Sequence, residues 1–576
     1  MTRVMLVAAA ALAAAVVCGE KPKMTHKYAN GAAVADERPS WRSQYDQQQT
    51  TTHTPVWIPE EDDDGAAQHG NPVLGALFTD SIGSTNAPAG GGDQQATLTA
   101  HPPLLHDGED LVVSWDGVQQ PHEKDFLGLS CGPKVRPMDI LMKINANHSD
   151  VTPRSVRFPH LIMMRCNYTV VYYNFQLKRS DFVAIGTLEV GMKESFNAPK
   201  HGHIALTSKL NEMAVMFNSA SQKTPQVKYG LRASALSLVA SGTSTTYKAS
   251  DMCNAPANIT NQTLFRDPGF MHKVILTGLH NSETYFYQFG NDGDGWSAVY
   301  SFKARPSPDV KTAKFIAYAD MGVEGAPSAT STAVRSFQEV LSGGYDNFLL
   351  HFGDVSYARG QAFMWDQFFH LIEPYATRVP YMVSIGNHEY DYVAGGKRDP
   401  SGATGPDGRM AFHPSWANYG EDSSGECSVP MYHRWHAPDN GHGIYWYSFD
   451  NGGVHLGEEA DLEVSLHFRD EMEELLWKYK VNLMLVGHQH SYERSCAVKS
   501  GKCTKDGVGP VHIVVGSAGA GLEEQGFSAD IGEWSVSHIN DWGYLRVAST
   551  EAEMTVQFVL NRNGAVYDEV TLKSWA

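Results

Sequence analysis

Four apolar runs in the second half of the chain end in the same way, and this repetition limits the fold more than any other feature. Phe315-Ile316-Ala317-Tyr318-Ala319 runs into Asp320-Met321-Gly322, and Phe348-Leu349-Leu350-His351-Phe352 into Gly353-Asp354-Val355-Ser356-Tyr357. Tyr381-Met382-Val383-Ser384-Ile385 runs into Gly386-Asn387-His388-Glu389, and Leu483-Met484-Leu485-Val486 into Gly487-His488-Gln489-His490. Each run reads as a buried strand, and helical patterns at Ala333–Leu341 and Phe468–Tyr479 fall between them. Alternating strands and helices predict an α/β domain, in which sites form beyond the carboxyl ends of the strands. A glycine beside each polar group lets the backbone turn sharply and approach closely. One strand ending in Asp or His is an ordinary turn. Four together, carrying Asp320, Asp354 with Tyr357, Asn387 with His388, and His488 with His490, predict a metal site. Carboxylate, amide, imidazole and phenol donors suit two hard or borderline ions, whereas a thiolate zinc site needs cysteines that these motifs lack.

The rest of the chain reads as β structure behind a leader. Residues 1–18 combine a basic start with an apolar run from Val4 to Cys18, the pattern of a secretory signal peptide and too short to span a membrane comfortably. Residues 19–95 hold polar and acidic low-complexity tracts and read as a mobile leader. Short strands such as Leu111–Trp115 and Thr169–Phe175 predict a β-sandwich over 96–195. Glu212–Phe217, Val227–Gly230, Lys273–Leu276 and Thr284–Phe289 predict a second over 196–308. The α/β domain then occupies 309–576, including a C-terminal segment at 511–576. No later stretch is apolar enough to cross a bilayer.

Composition and cysteine usage narrow the setting. With 45 Lys+Arg against 64 Asp+Glu the net charge is -19, which argues against nucleic acid as a structural partner. Seven cysteines less Cys18 leave six, an even number suited to an oxidising compartment. Cys496 and Cys503 enclose a Gly-containing turn and are expected to pair. Cys131 with Cys166 is the next expectation, which leaves Cys253 with Cys427 by elimination. Sequons at Asn147, Asn167, Asn258 and Asn261 predict exposed, glycosylated surfaces before residue 265. Secretion is the expected localisation.

The four motifs, in this order, resemble the purple acid phosphatases within the calcineurin-like metallophosphoesterases. The resemblance covers roughly residues 196–576 and includes a fibronectin III-like sandwich before the catalytic domain; the first sandwich and Gly425-Glu426-Cys427 resemble the longer plant-type forms. It implies a multidomain chain with β-sandwiches ahead of an α/β metallophosphoesterase domain whose two sheets are flanked by helices. It further implies that Asp320, Tyr357 and His490 hold Fe(III) with Asp354. Asp354 bridges to a divalent iron, zinc or manganese ion that Asn387 and His488 also hold. A metal-bound hydroxide then attacks phosphorus in line, and His388 contacts phosphate and helps protonate the leaving group. The implied activity is acid hydrolysis of small phosphate monoesters, with nucleotide phosphodiester or pyrophosphate cleavage as an alternative.

One family feature is absent. A strand ending in a metal-ligating His is expected between Gly-Asn-His-Glu and Gly-His-x-His. Here the chain passes from Val454-His455 through Leu456-Gly457-Glu458-Glu459-Ala460 directly to the helix before Gly487. A strand–helix–strand of about 30 residues is missing. His455 and His467 do not read as substitutes. The divalent half-site is therefore one ligand short, which raises a third reading: a catalytically impaired secreted binding protein.

Overall fold

Alternation of apolar and polar residues builds the first sandwich. In strand Glu109–Asp116, Leu111, Val113 and Trp115 are buried while their neighbours are partly exposed, the period of two of a half-buried strand. This strand lies between Thr97–His101 and Arg154–Leu161. Opposite is a five-stranded sheet in the order Leu104–Leu105, Asp181–Met192, Tyr168–Gln176, Phe126–Cys131, Ile140–Asn145. Trp115 of one sheet meets Tyr172 of the other with ring centroids 5.6 Å apart. The second sandwich pairs a four-stranded sheet built on Met213–Ser219 and Phe270–Leu276 with a five-stranded sheet built on Gln226–Gly230 and Thr284–Asn291. Phe217 stacks on Phe289 across it at 4.9 Å. The computed structural model describes residues 4–10 and 95–574, apart from 134–138, 147–153, 324, 391–421, 439–442, 452–453, 461–464, 506, 525 and 528–530. Asn147 and almost all of the 19–95 leader lie outside the described residues.

The α/β domain has two sheets. We label its strands β1 Val4–Ala10, β2 Ala313–Tyr318, β3 Phe348–Phe352, β4 Tyr381–Ser384, β5 Trp446–Asn451, β6 Val454–Ala460, β7 Val481–Val486, β8 Tyr492–Lys499, β9 Val511–Val515, β10 Gly543–Ser549, β11 Glu553–Leu560 and β12 Val566–Lys573. Its helices are α1 Ala329–Gln338, α2 Ala362–Ala376, α3 Val429–Arg434 and α4 Ser465–Lys478. One sheet has the order β4-β3-β2-β10-β11-β12, with β2, β3 and β4 parallel. The other has the order β5-β6-β1-β7-β9-β8, with β6, β1, β7 and β9 parallel. Every residue of β2 after Lys314, and all of β3, β4 and β7, is buried, as parallel strands covered on both faces require.

Several sequence expectations are adjusted. Helix α1 starts at Ala329, four residues before the expected Ala333, and its last turn widens at Glu339–Gly343 before Gly344 closes it at φ 71°. Helix α4 starts at Ser465 rather than Phe468. Val4–Ala10, which the sequence pattern places in a removable leader, forms β1 inside the second sheet. The sequon at Asn261 is not an exposed one: Asn261 is buried, and its Oδ1 accepts the Thr263 and Leu264 amides and the Thr263 hydroxyl. Asn167 is half-buried, its amide group donating to Glu189, and Asn258 is half-buried as well.

Three disulfides join Cys131 to Cys166, Cys253 to Cys427 and Cys496 to Cys503. The second ties the second sandwich to the loop ahead of α3. Charge joins all three units at one point. Asp366 on α2 receives both carboxylate bonds from Arg165 of the first sandwich at 2.9 Å, and Arg266 of the second lies 3.5 Å away. His201 is 3.7 Å from the same carboxylate, but burial holds its pKa down at about 3, so this is a neutral contact and not an ion pair.

Candidate metal centre

The four strand ends converge at one edge of the two sheets. Asp320 follows β2, Asp354 and Tyr357 follow β3, Asn387 follows β4, and His488 and His490 follow β7. Backbone strain marks the spot. Asp320, Asp354, Tyr357 and His488 have φ of 60°, 48°, 52° and 70°, a region that costs non-glycine residues on the order of 1–3 kcal/mol each. For a ring-bearing residue such as Tyr357 this is a genuine outlier. The two glycines that precede Asn387 and His488 answer to close approach. A Cβ on Gly386 would stand 2.3 Å from Asp354 Oδ1, and one on Gly487 would stand 2.6 Å from Asp320 Oδ2.

The first half of the site is a tight oxygen and nitrogen cluster. The Tyr357 hydroxyl lies 3.1 Å from Asp320 Oδ1, 3.5 Å from Asp354 Oδ2 and 2.8 Å from His490 Nε2. His490 Nε2 is 3.4 Å from Asp320 Oδ1. Its other nitrogen, Nδ1, is held 2.6 Å from the Gly521 carbonyl, which turns Nε2 toward the cluster. Neighbouring ligands on an octahedral ion with bonds of ~2.1 Å lie ~3 Å apart, so this spacing is that of a ligand shell. The second half is sparser. His488 Nδ1 lies 3.1 Å from Asn387 Oδ1. Among the described residues no three or more His, Cys, Asp and Glu side chains form a metal-binding group on their own. The cluster depends on the phenol of Tyr357 and the amide of Asn387.

Electrostatics also favour a cation. Burial, and then the carboxylates of Asp320 and Glu389, push Asp354 well above the usual carboxyl range. A positive ion beside it reverses that preference. Burial pulls His488 down to about 4, so its imidazole is neutral, the form that binds metals. His490 is drawn down by burial, but the hydrogen bond and charge of Asp320 more than offset this and its pKa is raised. The residues present fit a metal ion in the first half. The second half has an amide and one imidazole.

His388 sits at the rim of the cluster. Its backbone N–H donates to Asp354 Oδ1 at 3.0 Å, and its ring packs against Tyr357 with centroids 4.6 Å apart. His388 Nδ1 is 3.0 Å from the Asp422 carbonyl, which leaves Nε2 as the ring nitrogen available to a substrate.

Three residues that sequence reasoning does not assign hold this arrangement. Asp422 Oδ2 accepts the Asn387 Nδ2 amide at 3.1 Å and so fixes which way the amide oxygen faces. Glu389 accepts the Val355 and Gly386 amides at 2.8 and 3.0 Å, clamping the loops after β3 and β4; burial raises its pKa to about 7. Glu426 accepts the Gly360 amide and the Trp365 indole, and burial raises its pKa to about 8. Glu389 is visible as the last letter of its motif. Asp422 and Glu426 lie on the loop that the Cys253–Cys427 disulfide anchors; Glu426 stands in the Gly425-Glu426-Cys427 segment, whereas no local pattern marks Asp422.

Donors from four strand ends are thus set over two mixed sheets. Comparison with known proteins is specific. Residues 199–304 match the family model for the purple acid phosphatase N-terminal domain. Residues 509–569 match that for the iron/zinc purple acid phosphatase-like protein C domain. Both segments are thus similar to domains of the purple acid phosphatase family. The chain is 28% identical to probable inactive purple acid phosphatase 9 of Arabidopsis thaliana, over 83% of this chain and 86% of that one. It is 25% identical to a nucleotide pyrophosphatase/phosphodiesterase of Hordeum vulgare, over 48% of this chain and 88% of that one. The structure of a purple acid phosphatase from yellow lupin (Lupinus luteus) seeds superposes with a TM-score of 0.69 at 24% identity, over 83% and 96% of the two chains.

Proposed function

We propose that this chain is an acid phosphatase acting on small phosphate monoesters at a binuclear centre. The observation that carries the reading is the shell of Asp320, Asp354, Tyr357 and His490, whose donors lie 2.8 to 3.5 Å apart. These four residues would hold Fe(III), while Asn387 and His488 with Asp354 would hold a divalent iron, zinc or manganese. The pair would supply Lewis acidity and positive charge against the developing phosphoryl charge. The chain's own residues do the rest. His388, with its Nδ1 fixed by the Asp422 carbonyl, presents Nε2 to a phosphate oxygen or leaving group. Asp422 keeps the Asn387 oxygen aimed at the divalent position. The three disulfides and the apolar N-terminal segment support an oxidising compartment outside the cytoplasm. The barley relative's name keeps nucleotide diesters and pyrophosphates within the substrate class to be assayed.

A second reading is a protein that binds metal and phosphate without efficient turnover. It is favoured by the sequence between Val454 and Gly487, which carries no further apolar strand ending in His, and it agrees with the names of several relatives as probable inactive phosphatases. Purified full-length protein loaded with iron should absorb visible light through phenolate-to-Fe(III) charge transfer. Metal content and aryl phosphate hydrolysis at acid pH then separate the readings. Colour with two metals and turnover supports the first, and colour with one metal and no turnover supports the second. A folded, iron-loaded but colourless protein sinks both.

A further inference from the structure

The turn from β3 to α2 brings a fixed positive charge to the cluster. Tyr357, Arg359 and Gly360 have φ of 52°, 50° and 80°, a costly run of backbone for Tyr and Arg. Contacts on several sides hold it. The Gly360 amide donates to Glu426 Oε1 at 3.1 Å, the Gln361 amide to the Ala358 carbonyl at 2.8 Å, and the Ala362 amide to the Leu264 carbonyl of the second sandwich at 3.0 Å. A Cβ on Gly360 would stand 2.9 Å from the Ala257 nitrogen. This turn sets the Arg359 guanidinium over the Tyr357 ring, with Cζ 5.3 Å from the centroid. The His388 ring packs on the same phenol at 4.6 Å, and the phenol hydroxyl lies among the cluster's donors. The charge of Arg359 reaches His388 as well: after burial it is the strongest influence holding that imidazole well below its ordinary pKa. A guanidinium stays charged at any working pH, and its planar fork of N–H donors matches two oxygens of one phosphate. The chain as a whole carries -19, so attraction for a second phosphate must come from such a local cation and not from the bulk surface.

We propose that Arg359 is a specificity-determining residue that binds the second phosphate of a phosphoanhydride, so that the site favours inorganic pyrophosphate and nucleoside diphosphates over compounds with a single phosphate. This rests on the reading of the cluster as a phosphate-handling centre. With one phosphoryl group at the cluster, the neighbouring phosphate of an anhydride is one bridging oxygen away, and the guanidinium stands one phenol ring away from the same donors. A lone monoester places no phosphate there and gains nothing from Arg359. Hydrolysis of the anhydride adds one water across the bridging P–O bond and releases two phosphate products. The phosphate held by Arg359 departs with the bridging oxygen, and the guanidinium offsets the charge that this leaving group gains.

The test uses the full chain loaded with iron, titrated calorimetrically with inorganic pyrophosphate and, separately, with orthophosphate. The parent should bind pyrophosphate more tightly. Arg359→Ala should weaken pyrophosphate binding about tenfold or more beyond any loss for orthophosphate. Arg359→Lys should recover only part of this, because a point charge replaces a fork. In turnover, the KM for pyrophosphate should rise in Arg359→Ala far more than the KM for an aryl phosphate. Equal losses for the two anions would overturn the proposal, since that is what a merely structural arginine gives. A parent that binds both anions equally would overturn it too. If Arg359→Ala does not fold, the parent's preference and its reduction in Arg359→Lys decide. Iron colour, read in every sample, separates the two levels of the reading. A colourless parent overturns both the proposed function and this inference, whereas a coloured parent whose preference survives in the variants overturns this inference alone.

Discussion

Replacing Asp366 with Asn tests whether the three units act as one body. Asp366 is 1% exposed as a side chain, and its partners Arg165 and Arg266 are 8% and 7% exposed. Asn keeps the shape but removes the negative charge, leaving two guanidinium groups facing each other in a buried junction. Removing one partner of such a buried pair costs about 3–5 kcal/mol, because the remaining charges are left uncompensated. Against a domain stability of about 5–15 kcal/mol this is a large fraction. The pH sense can be worked out. Burial alone would raise Asp366, but the guanidinium charges of Arg165 and Arg266 lower it below 3.8 in the folded state. Its contribution is therefore present above 3.8 and is lost only as pH falls through the lower folded value, so the junction holds at the mildly acidic pH of the proposed activity. A multidomain chain need not unfold in one step, so the assay is hydrogen exchange resolved by peptide at about pH 6. Peptides containing 162–166, 200–204 and 264–267 should lose about a hundredfold or more of their protection in D366N, at about 1.36 kcal/mol per tenfold. The first sandwich's own core strands, such as Tyr168–Gln176, should change far less. Unchanged protection at all three peptides would refute the reasoning, since it would mean that the carboxylate's charge is not what joins the units.

Further outcomes follow from the site. Asp422→Ala should weaken divalent-metal binding about 10- to 100-fold, the usual effect of losing a partner that orients a ligand, while the iron colour stays; a metal titration checks this. Gly386→Ala would drive a Cβ to 2.3 Å from Asp354 Oδ1, so the folded protein should lose iron colour with little change in circular dichroism. Glu373 is buried, and burial raises its pKa from 4.5 to about 7. The folded state therefore keeps a proton that the unfolded state releases, and stability from this group is full below 4.5 and lost as pH rises through about 7. Glu373→Gln should thus gain thermal midpoint relative to the parent as pH rises across that window. Cys253→Ser with Cys427→Ser opens a loop spanning a sequence separation of 174 and should cost about 2–5 kcal/mol, read by urea unfolding.

Much of the site is legible in the sequence because its donors lie next to the strands that carry them. An apolar run followed by Gly and a donor is a local pattern, and parallel strands deliver their ends to one edge whatever else the fold does. Asp320, Asp354, Tyr357, Asn387, His488 and His490 all stand out in this way. Asp422 does not, because its role depends on a loop pinned by a disulfide from another unit. The buried Asn261 departs from its sequon for a related reason: a sequon states chemistry, and only packing states access.

The sequence by itself determined the α/β class and the order of the strand-end donors. Period and adjacency are written along the chain. The tertiary structure alone decided which distant groups meet: Asp366 with arginines from two sandwiches, Asp422 with Asn387, and Val4–Ala10 with β6 and β7. These pairings join residues dozens to hundreds of positions apart. They are set by the need to pair every buried charge and backbone group, a condition that no local stretch of sequence can express.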